Sequence, residues 1–126
     1  MDEAKFQLSQ IGIMMLGVAE LKRSLPFYQD KLGLNLKSQN EGFAFLDTGG
    51  VTLCLSEALA RHGGPIAGAT EVVFSVENVR AAHKALAARG VDFTQQPRNV
   101  TGPLWAANFN DPDGHKLSIF GPEGKA

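Results

Sequence analysis

At 126 residues, 44% of them hydrophobic, the chain holds enough apolar material for one domain with a sizeable core. Its net charge is −1 and its Lys and Arg are scattered, which excludes the basic stripe of a nucleic-acid binder and the polybasic segment of a membrane binder. A single cysteine, Cys54, excludes an internal disulfide and fits a reducing compartment, so the expectation is a soluble cytoplasmic protein.

The start, Met1-Asp2-Glu3-Ala4-Lys5, is charged and leads into an apolar stretch from Ile11 to Val18. That stretch is too short to span a bilayer, lacks signal-peptide order, and reads as a strand covered on both faces. Ser24 is expected to cap a helix, with Pro26 in its first turn. Leu21, Leu25, Tyr28 and Leu32 recur at helical spacing, and Gly33 suits the left-handed position after a helix. Residues 34–38 read as a strand. Phe43-Ala44-Phe45-Leu46 and Val51-Thr52-Leu53-Cys54-Leu55 flank Asp47-Thr48-Gly49-Gly50, a hairpin signal.

Residues 57–69 carry four alanines, three glycines and a proline, and read as a linker that can begin with a short helix. The second half then repeats the first. A strand over 70–76 precedes a helix capped by Asn78 that runs to Arg89 and Gly90, with Val79, Ala82 and Leu86 as its buried stripe. Strands follow near 91–95, 104–110 and 116–120, the last two joined by the turn Asp111-Pro112-Asp113-Gly114. Leu16, Val18 and Leu21 stand 58 positions before Phe74, Val76 and Val79. The fold class is therefore α+β, built from two tandem βαβββ modules. Module one covers about 8–56 and module two about 70–121.

Ser24-Leu25-Pro26-Phe27-Tyr28 and Lys31-Leu32-Gly33-Leu34 in the first half, with Asp111-Pro112-Asp113-Gly114-His115-Lys116-Leu117 in the second, resemble the vicinal oxygen chelate superfamily. That superfamily includes glyoxalase I, extradiol dioxygenases and bleomycin-resistance proteins. The resemblance implies mixed sheets that curl into a cup, helices on the outer face, and completion of the cup by a homodimer. It also implies four positions for metal ligands in the metal-dependent members. On this chain they fall at Ile13, Cys54, Glu71 and Ser118. A hard or borderline divalent ion wants several N or O donors. Ile13 has none, Ser118 is a weak neutral donor, Cys54 suits a softer ion, and Glu71 alone is a standard ligand. No metal or other cofactor is expected. His62, His83 and His115 read as exposed surface residues, not as ligands.

Strand alternation gives the same lining independently. If Met14, Leu16 and Val18 pack under the helices, then Ile13, Met15 and Gly17 face the cup. So do Thr52, Cys54 and Ser56, Glu71, Val73 and Ser75, and Lys116, Ser118 and Phe120. The expected ligand-binding set is Ile13, Met15, Thr52, Cys54, Glu71, Val73, Ser75, Trp105, Ser118 and Phe120. Apolar walls with a few polar groups are typical of a small-molecule pocket. Glu71 is either a general base or cation anchor, or a carboxylate that points to water or pairs with Lys116. Cys54 is a small buried hydrophobe or a nucleophile. Trp105 stacks on a planar ligand, or serves the core or the dimer contact.

The expectation is metal-independent binding of a small, largely apolar or aromatic molecule, in a resistance or sequestering role. The alternative is an enzyme of the lyase, isomerase or dioxygenase type, with divergent or metal-free chemistry and Glu71 as base. A pure interaction module with a filled cup is the third reading. Neither nucleic acid nor membrane is an expected partner.

Overall fold

The computed structural model describes residues 11–61 and 70–124. The apolar run that opens each half is a strand: β1 (Ile13–Gly17) and β5 (Glu71–Ser75). In module one it is followed by α1 (Leu21–Pro26), β2 (Asn35–Asn40), β3 (Phe43–Asp47) and β4 (Thr52–Ser56). In module two it is followed by α3 (Val79–Ala88), β6 (Phe93–Thr101), β7 (Leu104–Asn110) and β8 (Lys116–Pro122). A short helix, α2 (Glu57–Arg61), starts the linker as expected; the rest of the linker and His62 lie outside the described residues.

Each module makes a four-stranded mixed sheet of the same topology, β1-β4-β3-β2 and β5-β8-β7-β6. The first strand of each pairs in parallel with the last, and the rest pair antiparallel. In each sheet the opening strand is thus an edge with one partner. No helix among the described residues is long and apolar enough to cross a membrane.

The α1 start differs from expectation. Ser24 does not cap the helix. It sits inside it, fully buried, and its hydroxyl donates to Asp113 Oδ2 at 2.6 Å. Glu20 holds the N-cap position without a side-chain cap, and the Leu21 N–H donates instead to Glu57 Oε2 at 2.7 Å. Pro26 stands at the helix end, not in its first turn, and the chain continues through a π-helical turn over Phe27–Lys31. There the Leu32 N–H reaches Phe27 O at 3.1 Å. Gly33 then takes φ +80°, and Gly90 after α3 takes φ +90°, the left-handed conformation glycine adopts without a Cβ penalty. Asn78 caps α3 as expected, its Oδ1 accepting from the Ala81 N–H at 2.8 Å.

One continuous core draws on both modules. Leu16, Val18, Leu25, Tyr28, Leu46, Leu53 and Leu55 from the first join Val79, Leu86, Ala107, Phe109, Leu117 and Ile119 from the second. The β7–β8 turn locks the modules together. Asp113 accepts from the Ala19 N–H at 2.9 Å and pairs with Arg23 at 2.6 Å, and Asp111 Oδ2 accepts from the Tyr28 hydroxyl at 2.8 Å. His115, expected on the surface, is half-buried with Nε2 at 2.6 Å from Gly17 O. His83 is half-buried as well, edge-on to Phe93 with ring centroids 4.5 Å apart.

This core fixes the placement of the cup. The helix-bearing faces of the two sheets meet inside the chain. The opposite faces are left to solvent, with Ile13 51%, Met15 45% and Val73 50% exposed. The expected cup lining is therefore divided between two sheet faces, one half-cup per module.

Candidate functional site

The module-two half-cup is a concave pocket of about 430 Å³. Val73, Val100 and Phe120 give it apolar walls, and Glu71, Arg98, Asn108 and Ser118 give it a polar floor. Strand register puts these residues on one face: Val73 stands beside Ser118, Ser118 beside Asn108, and Arg98 beside Ala106.

The polar residues form one chain across all four strands. The Ser118 hydroxyl donates to Glu71 Oε2 at 2.9 Å. The Asn108 Nδ2 group donates to Glu71 Oε1 at 3.4 Å, a long bond. Arg98 Nη1 donates to Asn108 Oδ1 at 2.8 Å and to Ala106 O at 3.4 Å. Arg98 can only donate, so the Asn108 oxygen must face it, and the Asn108 amide N–H is thereby turned to Glu71. Both Glu71 oxygens thus accept from neutral donors. Ser118 is itself 2% exposed, so its hydroxyl positions Glu71 and offers a ligand little surface. Lys116 is the strand neighbour of Glu71, but no ion pair joins them among the described residues.

Other expected site residues are placed elsewhere. Ile13, Met15, Thr52 and Cys54 lie on the module-one sheet, where Met15 stands beside Cys54 and Phe45 beside Cys54. Phe43 and Phe45 stack there with centroids 6.5 Å apart, and Lys37 Nζ donates to Thr52 Oγ1 at 3.1 Å. No hydrogen bond among the described residues joins this set to the module-two pocket. Cys54 is fully buried, and burial raises its thiol pKa; it is the small buried hydrophobe of the two readings. Trp105 is not a pocket residue. It lies three residues before Asn108 on β7, hence on the opposite face, where it packs against the core with the Arg80 guanidinium 4.9 Å from its ring. Ser75 is exposed at the end of β5 but outside the pocket.

Asn108 and Arg98 are not among the site residues expected from the sequence. The signal for Asn108 was its odd-even position in β7, opposite in parity to Phe109. Arg98 was obscured because β6 runs on to Thr101, with irregularities that break simple alternation.

Of the four positions where the resemblance puts metal ligands, Ile13 offers no donor atom and Cys54 and Ser118 are buried. Ile13 and Cys54 lie on one sheet, Glu71 and Ser118 on the other. The Glu71 oxygens are already engaged, and no three His, Cys, Asp or Glu side chains converge among the described residues.

The chain is similar to several known proteins. It is 30% identical over 116 residues to the glutathione transferase FosA of Serratia marcescens, covering 89% of this chain and 80% of that one. It superposes on a crystal structure of a glyoxalase/bleomycin resistance protein/dioxygenase from Nocardioides with a TM-score of 0.77 at 26% identity, covering 97% and 92% of the two chains. It shares the fold of TnmS3, an antibiotic binding protein from Streptomyces sp. CB03234, with a TM-score of 0.77 at 20% identity over 93% and 98% of the chains. The sequence model of one family matches residues 10–119, and with the twin βαβββ modules this places the chain in the Glyoxalase/Bleomycin resistance protein/Dioxygenase superfamily.

Proposed function

We propose that this protein binds a small, largely apolar or aromatic organic molecule without a metal ion, in cups completed by a second copy of the chain. The observation that carries this reading is the Arg98–Asn108–Glu71–Ser118 chain, held on the floor of an open pocket with apolar walls. Such a surface gives a ligand apolar contact and a few oriented polar groups. The fold shared with an antibiotic binding protein supports a sequestering role.

The split lining supports a homodimer. Ile13, Met15 and Val73 are half-exposed on faces beside the single-partner edges β1 and β5. Pairing the module-one half-cup of one chain with the module-two half-cup of its partner covers both. Ile13, Met15 and Thr52 then face Glu71, Val73 and Phe120 across one cavity.

A second reading is favoured by the similarity to a glutathione transferase: Glu71, exposed and oriented, serves as a general base in a metal-free enzyme.

The test is a thermal-shift screen of small aromatic compounds against protein purified without chelator, with size measured by light scattering. The expected protein is a dimer, stabilised by aromatic ligands, and Glu71→Gln weakens those that carry a hydrogen-bond donor. A stoichiometric divalent ion bound in the cup would sink the metal-independent reading. A monomer with full ligand affinity would sink the shared cup. For the enzyme reading, unchanged turnover in Glu71→Gln excludes the base.

A further inference from the structure

The two helices do not fill the space beneath them equally. The core-facing residues of the first helical segment are Leu21, Leu25 and Tyr28, with Leu32 packed beside them, and those of the second are Val79, Ala82 and Leu86, with Arg89 exposed just past the helix end. At the three core-facing steps module two has the smaller apolar side chain, and where module one ends on Leu32 module two ends on the exposed cation Arg89. The difference leaves a pocket of about 330 Å³ between α3 and the helix-side face of β5 and β8. Phe74, Val76, Leu86 and Ile119 wall it, Leu32 reaches in from module one, and Arg89 stands at its mouth. It opens on the side of the sheet opposite Glu71 and Val73, so it is distinct from the half-cup.

The chemistry of the mouth is one-sided. No carboxylate lines the pocket among the described residues. Arg89 is exposed and spends Nη1 on Lys31 O at 3.1 Å, and it has no ion-pair partner among the described residues. One cation, Arg89, therefore borders an apolar recess, at the small end of the roughly 300–1,000 Å³ range of ligand pockets.

We infer that this pocket is a second binding site, for a small apolar monocarboxylate whose hydrocarbon part enters between α3 and β5 and whose carboxylate meets Arg89. The guanidinium offers the planar donor fork that a carboxylate matches. The inference is independent of the ligand in the cup.

Octanoate is the probe, with octanol as its uncharged counterpart, and binding is followed by amide chemical-shift mapping and calorimetry. Octanoate is expected to shift Phe74, Val76, Leu86 and Arg89, and to bind roughly tenfold more tightly than octanol, as a charge-assisted contact requires. Arg89→Gln abolishes that preference while leaving octanol binding in place. Ala85→Leu, at an exposed helix position on the rim, narrows the pocket and weakens both without disturbing the core. Equal affinity for octanoate and octanol overturns the proposal, as do shifts confined to Val73, Val100 and Phe120. Pocket amides that move with protein concentration in the absence of octanoate also overturn it, since they assign the recess to a subunit interface.

Discussion

Tyr28 is the only tyrosine in the chain, so its ionisation can be read without interference. It is fully buried, and its hydroxyl donates to Asp111 Oδ2 at 2.8 Å across the module boundary. Burial is the main cause that pushes its pKa far above the ordinary tyrosine value; the Asp111 charge, the hydrogen bond to Asp111 and the Asp113 charge add to it. In the unfolded chain the phenol titrates near pH ~10. A group whose pKa is raised on folding contributes stability that is complete below the unfolded value and lost above it. The folded protein should therefore lose about 1.4 kcal/mol of stability per pH unit above pH ~10 from this residue alone. The assay is phenolate absorbance and circular dichroism recorded together along an alkaline titration. Phenolate should appear only as the fold is lost, in one coincident transition. A reversible phenolate titration near pH ~10 with native circular dichroism would refute the reasoning. Tyr28→Phe removes the donor to a buried carboxylate. Asp111 Oδ1 keeps the Asp113 and His115 N–H groups, at 2.9 and 2.8 Å, so the loss is confined to Oδ2. The expected cost is about 2 kcal/mol, the scale of a hydrogen bond to a charged group. That corresponds to a fall in melting temperature of roughly 8 °C.

Two glycines should rank in order of what their missing side chains would meet. A Cβ at Gly121 would overlap the Val76 carbonyl oxygen, a backbone atom just past the end of β5, so Gly121→Ala should cost about 3 kcal/mol or more. A Cβ at Gly17 would stand 3.0 Å from the Ala60 backbone nitrogen in the short α2, which can shift, so Gly17→Ala should cost about 1 kcal/mol. Thermal melts of the two variants check the order, and a reversed order contradicts the packing. Cys54 should resist a thiol reagent in the native protein at neutral pH and react fully in denaturant, because it is buried and its thiol pKa is raised. Rapid native labelling would show that the module-one sheet opens readily.

Much of this protein was legible in the sequence for local reasons. Strand alternation, the Asn78 cap, Gly33 and Gly90 after the helices and the Asp111–Gly114 turn each depend on a few neighbouring residues, and the structure keeps them. The repeat itself follows from the same patterns, and so does the parity that puts Glu71, Val73, Ser118 and Phe120 on one face. What the sequence lost were features whose partners lie far along the chain. Ser24 looked like a helix cap because nothing nearby revealed Asp113, 89 residues on, which takes its hydroxyl into the module boundary instead. His115 looked exposed because its partner, Gly17 O, is 98 residues away. Alternation assigns a side chain to a face, but it does not say which faces of two sheets turn towards each other. That was decided by the apolar helix stripes of both modules, which merge into one core. The sequence determined the two modules and the lining of each, and tertiary packing alone decided that one chain presents them as two open halves.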